Sequence, residues 1–147
     1  MIIPFASNFF PFQFLTSILS SCVFENTLHG PFSVDYVLSP DDGYTWGSRG
    51  NVYTAVNNAE AGAPQVINVG GTLVASFMSN EAGNGPGVDN GEMKVVTSTD
   101  GGVTWSGATV ISGLGSHWPG MQVLDDKNFL ALYSFSGLGL VSHKHTV

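Results

Sequence analysis

Basic residues are scarce in this sequence. Its 147 residues include 4 lysines and arginines against 11 aspartates and glutamates, which gives a formal net charge of −7. Proteins bind nucleic acids and anionic membrane surfaces through basic faces. The composition therefore argues against nucleic acid and against membrane as partners.

Cysteine and helical periodicity are also nearly absent. Cys22 is the only cysteine, so the chain can form no internal disulfide, and no cysteine or histidine spacing is typical of a zinc site. We expect neither a metal nor another cofactor. Short runs rich in β-branched and aromatic residues, separated by Gly, Asn, Asp and Ser, predict an all-β fold.

The one long apolar stretch is residues 1–22, and it matches neither a secretory signal nor a membrane helix. It contains no Lys or Arg, which a secretory signal needs before its apolar core, and Pro4 and Pro11 interrupt it. A membrane helix needs about 20 apolar residues without such breaks. We therefore treat residues 1–22 as a separate segment of undetermined role and find no convincing signal peptide.

Two internal repeats organise the rest of the chain. Pro64 and Pro119 each begin a pair of predicted strands joined by a short turn, which in the first pair is Gly70-Gly71. The pattern Ser-x-Asp-x-Gly-x-Thr-Trp occurs at 39–46 and again at 98–105, 59 positions later (98 − 39). Units of this length with four short strands match the blades of a β-propeller.

The repeats divide residues 23–147 into the rear of one blade at 23–56, a whole blade at 60–112 and the front of another at 117–147. The prediction is thus a partial β-propeller of about two four-stranded antiparallel blades. A closed propeller needs about 4 to 8 blades, so two edges stay open. Open strand edges favour pairing with another strand, and we expect self-association through them.

The repeated octapeptide has a structural interpretation. Its aspartate can accept hydrogen bonds from backbone N–H groups ahead of it, as in an Asx-turn, which leaves Asp42 to solvent. Its glycine permits the sharp reversal, and its tryptophan can cover the turn. The predicted structural residues are Ser39, Asp41, Gly43, Thr45 and Trp46 in the first copy and Ser98, Asp100, Gly102, Thr104 and Trp105 in the second.

These octapeptides resemble Asp-box motifs, also called bacterial neuraminidase repeats, which lie between the third and fourth strands of blades in sialidase-like propellers. Glu-Ala-Gly-Ala-Pro-Gln-Val at 60–66 and His-Trp-Pro-Gly-Met at 117–121 resemble the fungal branch that contains exo-α-L-arabinanases of glycoside hydrolase family 93. The resemblance runs from about residue 23 to the end. It implies about two blades of an expected six.

The resemblance also implies a function. It indicates a fragment of a secreted, extracellular glycoside hydrolase that cuts glycosidic bonds in plant polysaccharide such as arabinan, with carbohydrate as its partner. We expect the chain to be inactive alone, because most of the expected blades lie outside it. The alternatives are a non-catalytic carbohydrate-binding or interaction fragment, a fragment of a true sialidase, and an incomplete gene product without independent function.

Glu60 is the predicted catalytic residue. Retaining glycosidases need two carboxyl groups about 5 to 5.5 Å apart, in a cleft that in propellers lies where each blade's innermost strand begins. Glu60 comes just before such a strand, and the resemblance implies an active-site glutamate near this position. An ordinary solvated loop acid is the alternative. The second catalytic carboxyl has no candidate here, and we expect it outside this chain.

Further residues are candidates for contact with substrate. They are His117, Trp118, Tyr133, Glu81 and Glu25. His117 and Trp118 hold the place equivalent to Glu60 one blade later, where the indole could stack on a sugar or plug the hub. Glu25 and Glu81 are expected at corresponding hairpin exits. The alternative to substrate contact for these two residues is a structural role.

The arginine count separates two kinds of substrate. A true sialidase, by family resemblance, binds its substrate's carboxylate with three arginines, whose planar forks suit that task. This chain has only Arg49, just after the first octapeptide. An arabinan is uncharged and needs no such cluster, so the composition favours a neutral sugar. Asp35 and Glu92, in predicted third strands, are expected to face solvent.

Overall fold

The computed structural model describes residues 20–28, 31–83 and 90–147. In these segments the chain forms ten β-strands and no α-helix. The strands are β1 (Ser20–Asn26), β2 (Ser33–Ser39), β3 (Gly50–Thr54), β4 (Ala61–Val69), β5 (Thr72–Ser79), β6 (Glu92–Ser98), β7 (Thr109–Ser112), β8 (Ser116–Val123), β9 (Asn128–Phe135) and β10 (Gly139–Thr146). Nothing in the described part of the chain is a helix able to cross a membrane.

The strands form three antiparallel sheets. The first sheet contains β1 to β3, the second β4 to β7 and the third β8 to β10, and in each the spatial order follows the sequence. Each sheet is therefore a meander of hairpins. Gly70 and Gly71, at φ of 56° and 93°, form the predicted two-residue turn between β4 and β5, since glycine adopts positive φ without a steric penalty.

The three sheets repeat one another in register. β1, β5 and β9 are counterparts, and so are β2, β6 and β10, while β4 and β8 begin the second and third sheets. The register is anchored by three pairs, Phe24 with Asp35, Phe77 with Lys94 and Tyr133 with Val141. Asp35 and Lys94 are 59 positions apart (94 − 35), which is also the spacing of the octapeptides.

The core lies between the sheets. One cluster, between the first and second sheets, contains Val34, Val52, Ala61, Ala75, Phe77 and Val96. A second cluster, between the second and third sheets, contains Val69, Val74, Phe129 and Ala131. Neighbouring residues of a strand point to opposite faces, so the second sheet buries both faces. That burial explains the nearly continuous apolar run along β5.

Each octapeptide forms a hydrogen-bonded turn around its aspartate. The Thr45 N–H donates to Asp41 Oδ1 at 2.7 Å and the Thr45 hydroxyl to Oδ2 at 2.7 Å. Thr104 makes the same two bonds to Asp100, at 2.9 and 2.6 Å. These bonds favour the ionised carboxylates and lower the pKa of both aspartates. Asp42 is exposed, as predicted, and lies at φ 56°.

The expectation that Asp35 and Glu92 face solvent is wrong. Asp35 is 4% exposed and Glu92 is 7% exposed. Glu92 lies beside the buried Lys94, whereas Asp35 is on the opposite face of β2 from the core residue Val34 and is covered by polar partners. The amide groups of Asn26 and Asn51 each donate to the Asp35 carboxylate at 2.9 Å, and Arg49 Nε lies 3.3 Å from it.

Candidate functional site

A cavity of about 300 Å³ opens where β4 begins, and all three sheets contribute to it. Glu25 comes from β1 of the first sheet, Glu60 immediately precedes β4 of the second, and Trp118 lies in β8 of the third. Phe32 and Met78 add apolar surface. Among the residues that the structure describes, no lysine, arginine or histidine lines the cavity. Three of the residues singled out from the sequence therefore meet at one acidic, partly aromatic site.

Glu60 has a fixed backbone and a free carboxylate. Its N–H donates to Asn80 Oδ1 at 2.7 Å, and the Asn80 N–H donates back to the Glu60 carbonyl at 3.2 Å. Asn80 is 8% exposed, so these two hydrogen bonds are shielded from water. Within the described residues the Glu60 carboxylate has no hydrogen-bond or ion-pair partner. The side chain is therefore held at the cavity and available to a ligand.

Backbone bulges shape the cavity in two sheets. The register of β4 shifts between Gly62 and Gln65, and that of β8 shifts between His117 and Gly120. At the centre of these bulges Ala63 and Trp118 have φ of 51° and 56°, a region that costs a residue with a Cβ about 1 kcal/mol or more. Bulges re-aim side chains at sheet ends. The second bulge leaves the Trp118 indole on the cavity wall and 63% exposed.

Glu25, a predicted substrate-contact residue, provides a second carboxyl group at the cavity, where sequence analysis had found no candidate for one. Its Oε2 accepts a hydrogen bond from the Ala63 N–H at 2.9 Å. Its side chain covers Gly62, where a Cβ would collide with it. The bond joins the first sheet to the bulge of the second. By ladder register the counterpart of Glu25 is Met78, so the expected correspondence with Glu81 is wrong.

The other three candidates lie outside the cavity lining. His117 is half-buried, with Nδ1 3.2 Å from the Gly115 carbonyl oxygen. Tyr133 is 1% exposed, and its hydroxyl lies 3.3 Å from His143 Nδ1. Glu81 is engaged in a buried ion pair.

That ion pair centres on Lys94, which is 6% exposed. Its ammonium contacts Glu81 and lies 3.0 Å from Glu92. Glu81 also accepts hydrogen bonds from the Tyr53 hydroxyl at 2.6 Å and the Val56 N–H at 2.5 Å. Burial would lower the pKa of Lys94, but its bonds to these partners outweigh burial and raise it.

Glu81 is ionised for the same reason. Burial would raise its pKa, but the bonds from Lys94 and Tyr53 lower it below the usual value. Glu81 follows Asn80 directly in the chain, and Asn80 clasps the Glu60 backbone. The ion pair therefore fixes the segment that holds Glu60 in place.

The cavity contains the kinds of side chain that glycoside hydrolysis requires. One carboxyl group can protonate the leaving oxygen of a glycoside, and a second can attack or stabilise the cationic sugar. An exposed indole offers a flat apolar surface on which a sugar ring can stack. Among the described residues, no group of three or more His, Cys, Asp and Glu side chains could hold a metal ion.

No family model matches the sequence, and no curated protein gives a match. Solved structures do match. The Hadza microbial sialidase Hz136 has a TM-score of 0.62 and 16% identity, over 88% of this chain and 32% of its own. The GH93 α-L-arabinofuranosidase of Fusarium graminearum, solved with arabinobiose, has a TM-score of 0.60 and 13% identity, over 86% and 40%. The NanB sialidase from Streptococcus pneumoniae has a TM-score of 0.51 and 22% identity, over 83% and 19%.

At these identities the likeness shows the fold. The chain is a partial sialidase-like β-propeller whose sheets do not close into a ring, which confirms the predicted architecture. Its structural neighbours are glycoside hydrolases, namely sialidases and an arabinofuranosidase. The chain spans between 19% and 40% of the length of these three neighbours.

Proposed function

We propose that the cavity is the carbohydrate-binding cleft of a glycoside hydrolase which, with a complete propeller, cuts a neutral plant polysaccharide such as arabinan. The observation that carries the proposal is the meeting of Glu25, Glu60 and Trp118 around one cavity. Paired carboxyl groups and an exposed aromatic ring are what a glycosidase needs to bind and cleave a sugar.

The charge of the cavity supports a neutral substrate. A sugar that carries a carboxylate would meet two glutamates and, within the described part of the lining, no cation. Arg49 lies beside the buried Asp35, and Lys94 is buried between Glu81 and Glu92. Neither cation is available to a ligand in the cavity. A fragment of a true sialidase is therefore less well supported than a fragment of a neutral-sugar hydrolase.

The roles proposed for the two glutamates follow from their surroundings. Glu25 is held in place by the Ala63 N–H, so its carboxyl group is positioned for the nucleophile or charge-stabilising role. The Glu60 carboxyl group has no such partner among the described residues and can donate or accept a proton at the glycosidic oxygen. Trp118 would stack on the sugar ring.

The 147-residue chain should bind sugar without turning it over. Its three sheets form one side of a cleft, and the open ring lets water reach the cavity. We propose an extracellular location for the whole enzyme, as is common for hydrolases of polysaccharides. The second candidate is a binding fragment without catalysis, which the open arrangement of the sheets favours.

A calorimetric titration tests the proposal. Arabinobiose, the sugar bound in the Fusarium structure, should bind, and a sialylated trisaccharide should bind at least about 10-fold more weakly. Trp118→Ala should lose binding, whereas Trp46→Ala, which removes an exposed indole of the first octapeptide, should not. Binding that is stronger for the sialoside, or equal loss in both variants, would contradict the proposed cleft.

A further inference from the structure

A short loop, residues 55–60, crosses from the first sheet to the second and ends at the cavity. It begins after β3 and ends where β4 begins. A tight turn lies within it, closed by a hydrogen bond from the Ala59 N–H to the Val56 carbonyl at 3.0 Å. Asn57 and Asn58, at the centre of the turn, have φ of 56° and 58°, values that asparagine adopts more readily than most residues. We call residues 55–60 the crossover loop.

Two consecutive side chains bind the two ends of the turn in the crossover loop. Asn80 Oδ1 accepts the Glu60 N–H at 2.7 Å, and Glu81 Oε1 accepts the Val56 N–H at 2.5 Å. Asn80 is 8% exposed, and the Glu81 side chain is 11% exposed. A buried hydrogen bond is costly to open, because opening it leaves a polar group without a partner. The segment that follows β5 therefore fixes the loop from both sides.

One further bond, from the Asn80 N–H to the Glu60 carbonyl at 3.2 Å, belongs to a frame that two sheets share. In the third sheet the Ser136 N–H donates to the Gly115 carbonyl at 2.8 Å. The two pairs are counterparts, because each lies two residues outside the ladder pair that borders the bulge of its sheet. The frame therefore forms this bond with or without a glutamate. The bond from the Asn80 side chain is an addition to the frame, made in the sheet whose first strand begins beside Glu60.

Glu81 is itself attached to both of the first two sheets. The Tyr53 hydroxyl of the first sheet donates to its carboxylate at 2.6 Å, and the Lys94 ammonium of the second sheet contacts it. Lys94 also lies 3.0 Å from Glu92. The Tyr53 ring packs against the buried Phe77 with 4.7 Å between ring centroids. The support of the crossover loop is thus continuous with the core between these sheets.

We propose that Asn80 and Glu81 are positioning residues for Glu60, which hold the crossover loop so that the Glu60 carboxyl group faces the cavity. That carboxyl group has no hydrogen-bond or ion-pair partner among the described residues, so its place is set by its backbone. Groups that bind a ligand need supporting hydrogen bonds to hold them within about 0.5 Å of their working position. The effect on sugar binding rests on the proposed function, whereas the order of the loop does not.

Backbone dynamics test the positioning without any sugar. In the unmodified protein the ¹⁵N order parameter of Glu60 should be about 0.85, and in Asn80→Ala it should fall towards about 0.6. Asn80→Asp, which keeps a side-chain oxygen for the Glu60 N–H, should retain the higher value. Asn68→Ala is the matched control, because Asn68 Oδ1 accepts the Gly71 N–H at 2.8 Å at the other end of β4. An equally rigid Glu60 in Asn80→Ala would overturn the proposal.

Glu81→Gln provides a second variant should Asn80→Ala not give the circular dichroism spectrum of the folded protein. It keeps the size of the side chain but removes the ion pair with Lys94. The order parameters of Val56 and Glu60 should both fall. Unchanged values at both positions would contradict the proposed role of Glu81.

The affinity for arabinobiose tests whether Asn80 acts through Glu60. Asn80→Ala should weaken binding about 5-fold or more, since a displaced group loses its contact with the ligand, and Asn68→Ala should not. In a Glu60→Ala background Asn80→Ala should weaken binding by less than about 2-fold, because residues that act as a unit are not additive. Additive losses would overturn the proposal. If the unmodified protein binds no arabinobiose, the proposed function fails, and the order parameters alone decide whether Asn80 positions Glu60.

Discussion

The two octapeptide turns and the cavity each place carboxylates beside a tryptophan, but the carboxylates are used differently. Asp41 and Asp100 each accept hydrogen bonds from a serine and twice from a threonine one turn ahead. The Glu60 carboxylate accepts none from the described residues. The repeated octapeptide is therefore structural, whereas Glu60, at the cavity, keeps a carboxylate that can hydrogen-bond to a ligand.

The tryptophans differ in the same way. Trp105 packs against the core cluster between the first two sheets, with its ring 6.2 Å from that of Tyr36 in an edge-on arrangement. Trp46, in the equivalent turn, is 48% exposed. Trp118 is 63% exposed on the cavity wall. The same turn thus leaves the Trp105 indole partly buried against a neighbouring sheet and the Trp46 indole about half exposed.

The largest expected effect is on the free energy of unfolding, and it distinguishes Glu81, which stabilises the fold, from Glu60 at the cavity. Glu81→Ala should lower the free energy of unfolding by about 3 kcal/mol, because it leaves the buried Lys94 ammonium without its closest partner. Glu60→Ala should change it by less than about 0.5 kcal/mol. Urea unfolding followed by circular dichroism measures both. Similar losses in the two variants would show that Glu60 is also structural.

A smaller effect should distinguish the two turns. Trp105→Ala should cost about 2 kcal/mol, since it empties a site between two sheets, and Trp46→Ala about 0.5 kcal/mol, since its indole is half in water. The same unfolding experiment applies. Equal costs would mean that the turn itself, rather than the neighbouring sheet, determines the contribution of the indole.

The smallest effect is the pH dependence of the turns. The folded pKa values of Asp41 and Asp100 lie below 3.8, so the stabilisation from their hydrogen bonds is complete above pH 3.8 and is lost as the pH falls through the folded values. Both turns are at the surface, so the loss should be minor. The amide shifts of Thr45 and Thr104 in an NMR titration should have midpoints below pH 3.8. Midpoints at or above that pH would contradict the hydrogen bonding described.

Much of the fold was predictable because the signals are local and repeated. The glycine pair at 70–71 and the two octapeptides define turns through their own side chains and backbone. Their common spacing predicts the sheet repeat without any information on contacts between sheets. The position of Glu60 at the cavity was predictable for the same reason, since it lies at the start of a strand that the repeat identifies, while its catalytic role stays a prediction.

The position of Glu25 at the cavity and the burial of Asp35 and Glu92 depend on tertiary contacts, which sequence periodicity does not predict. Glu25 reaches the cavity because the bulge at Ala63 presents an N–H to it, and neither the bulge nor the neighbouring strand is visible in the sequence. Asp35 is buried by Asn26, Asn51 and Arg49, and Glu92 is buried beside Lys94. The burial of an acidic residue in a strand therefore cannot be predicted without knowing which side chains pack around it.

The most direct test of the central claim is the affinity of the Glu60→Gln variant for arabinobiose, measured by calorimetry beside Asp42→Asn. Both changes remove one negative charge, but Asp42 is an exposed residue of the first turn. If the Glu60 carboxylate holds the sugar, Glu60→Gln should weaken binding about 10-fold or more, and Asp42→Asn should leave it unchanged. Equal affinities in the two variants and the unmodified protein would contradict a carbohydrate site at Glu60.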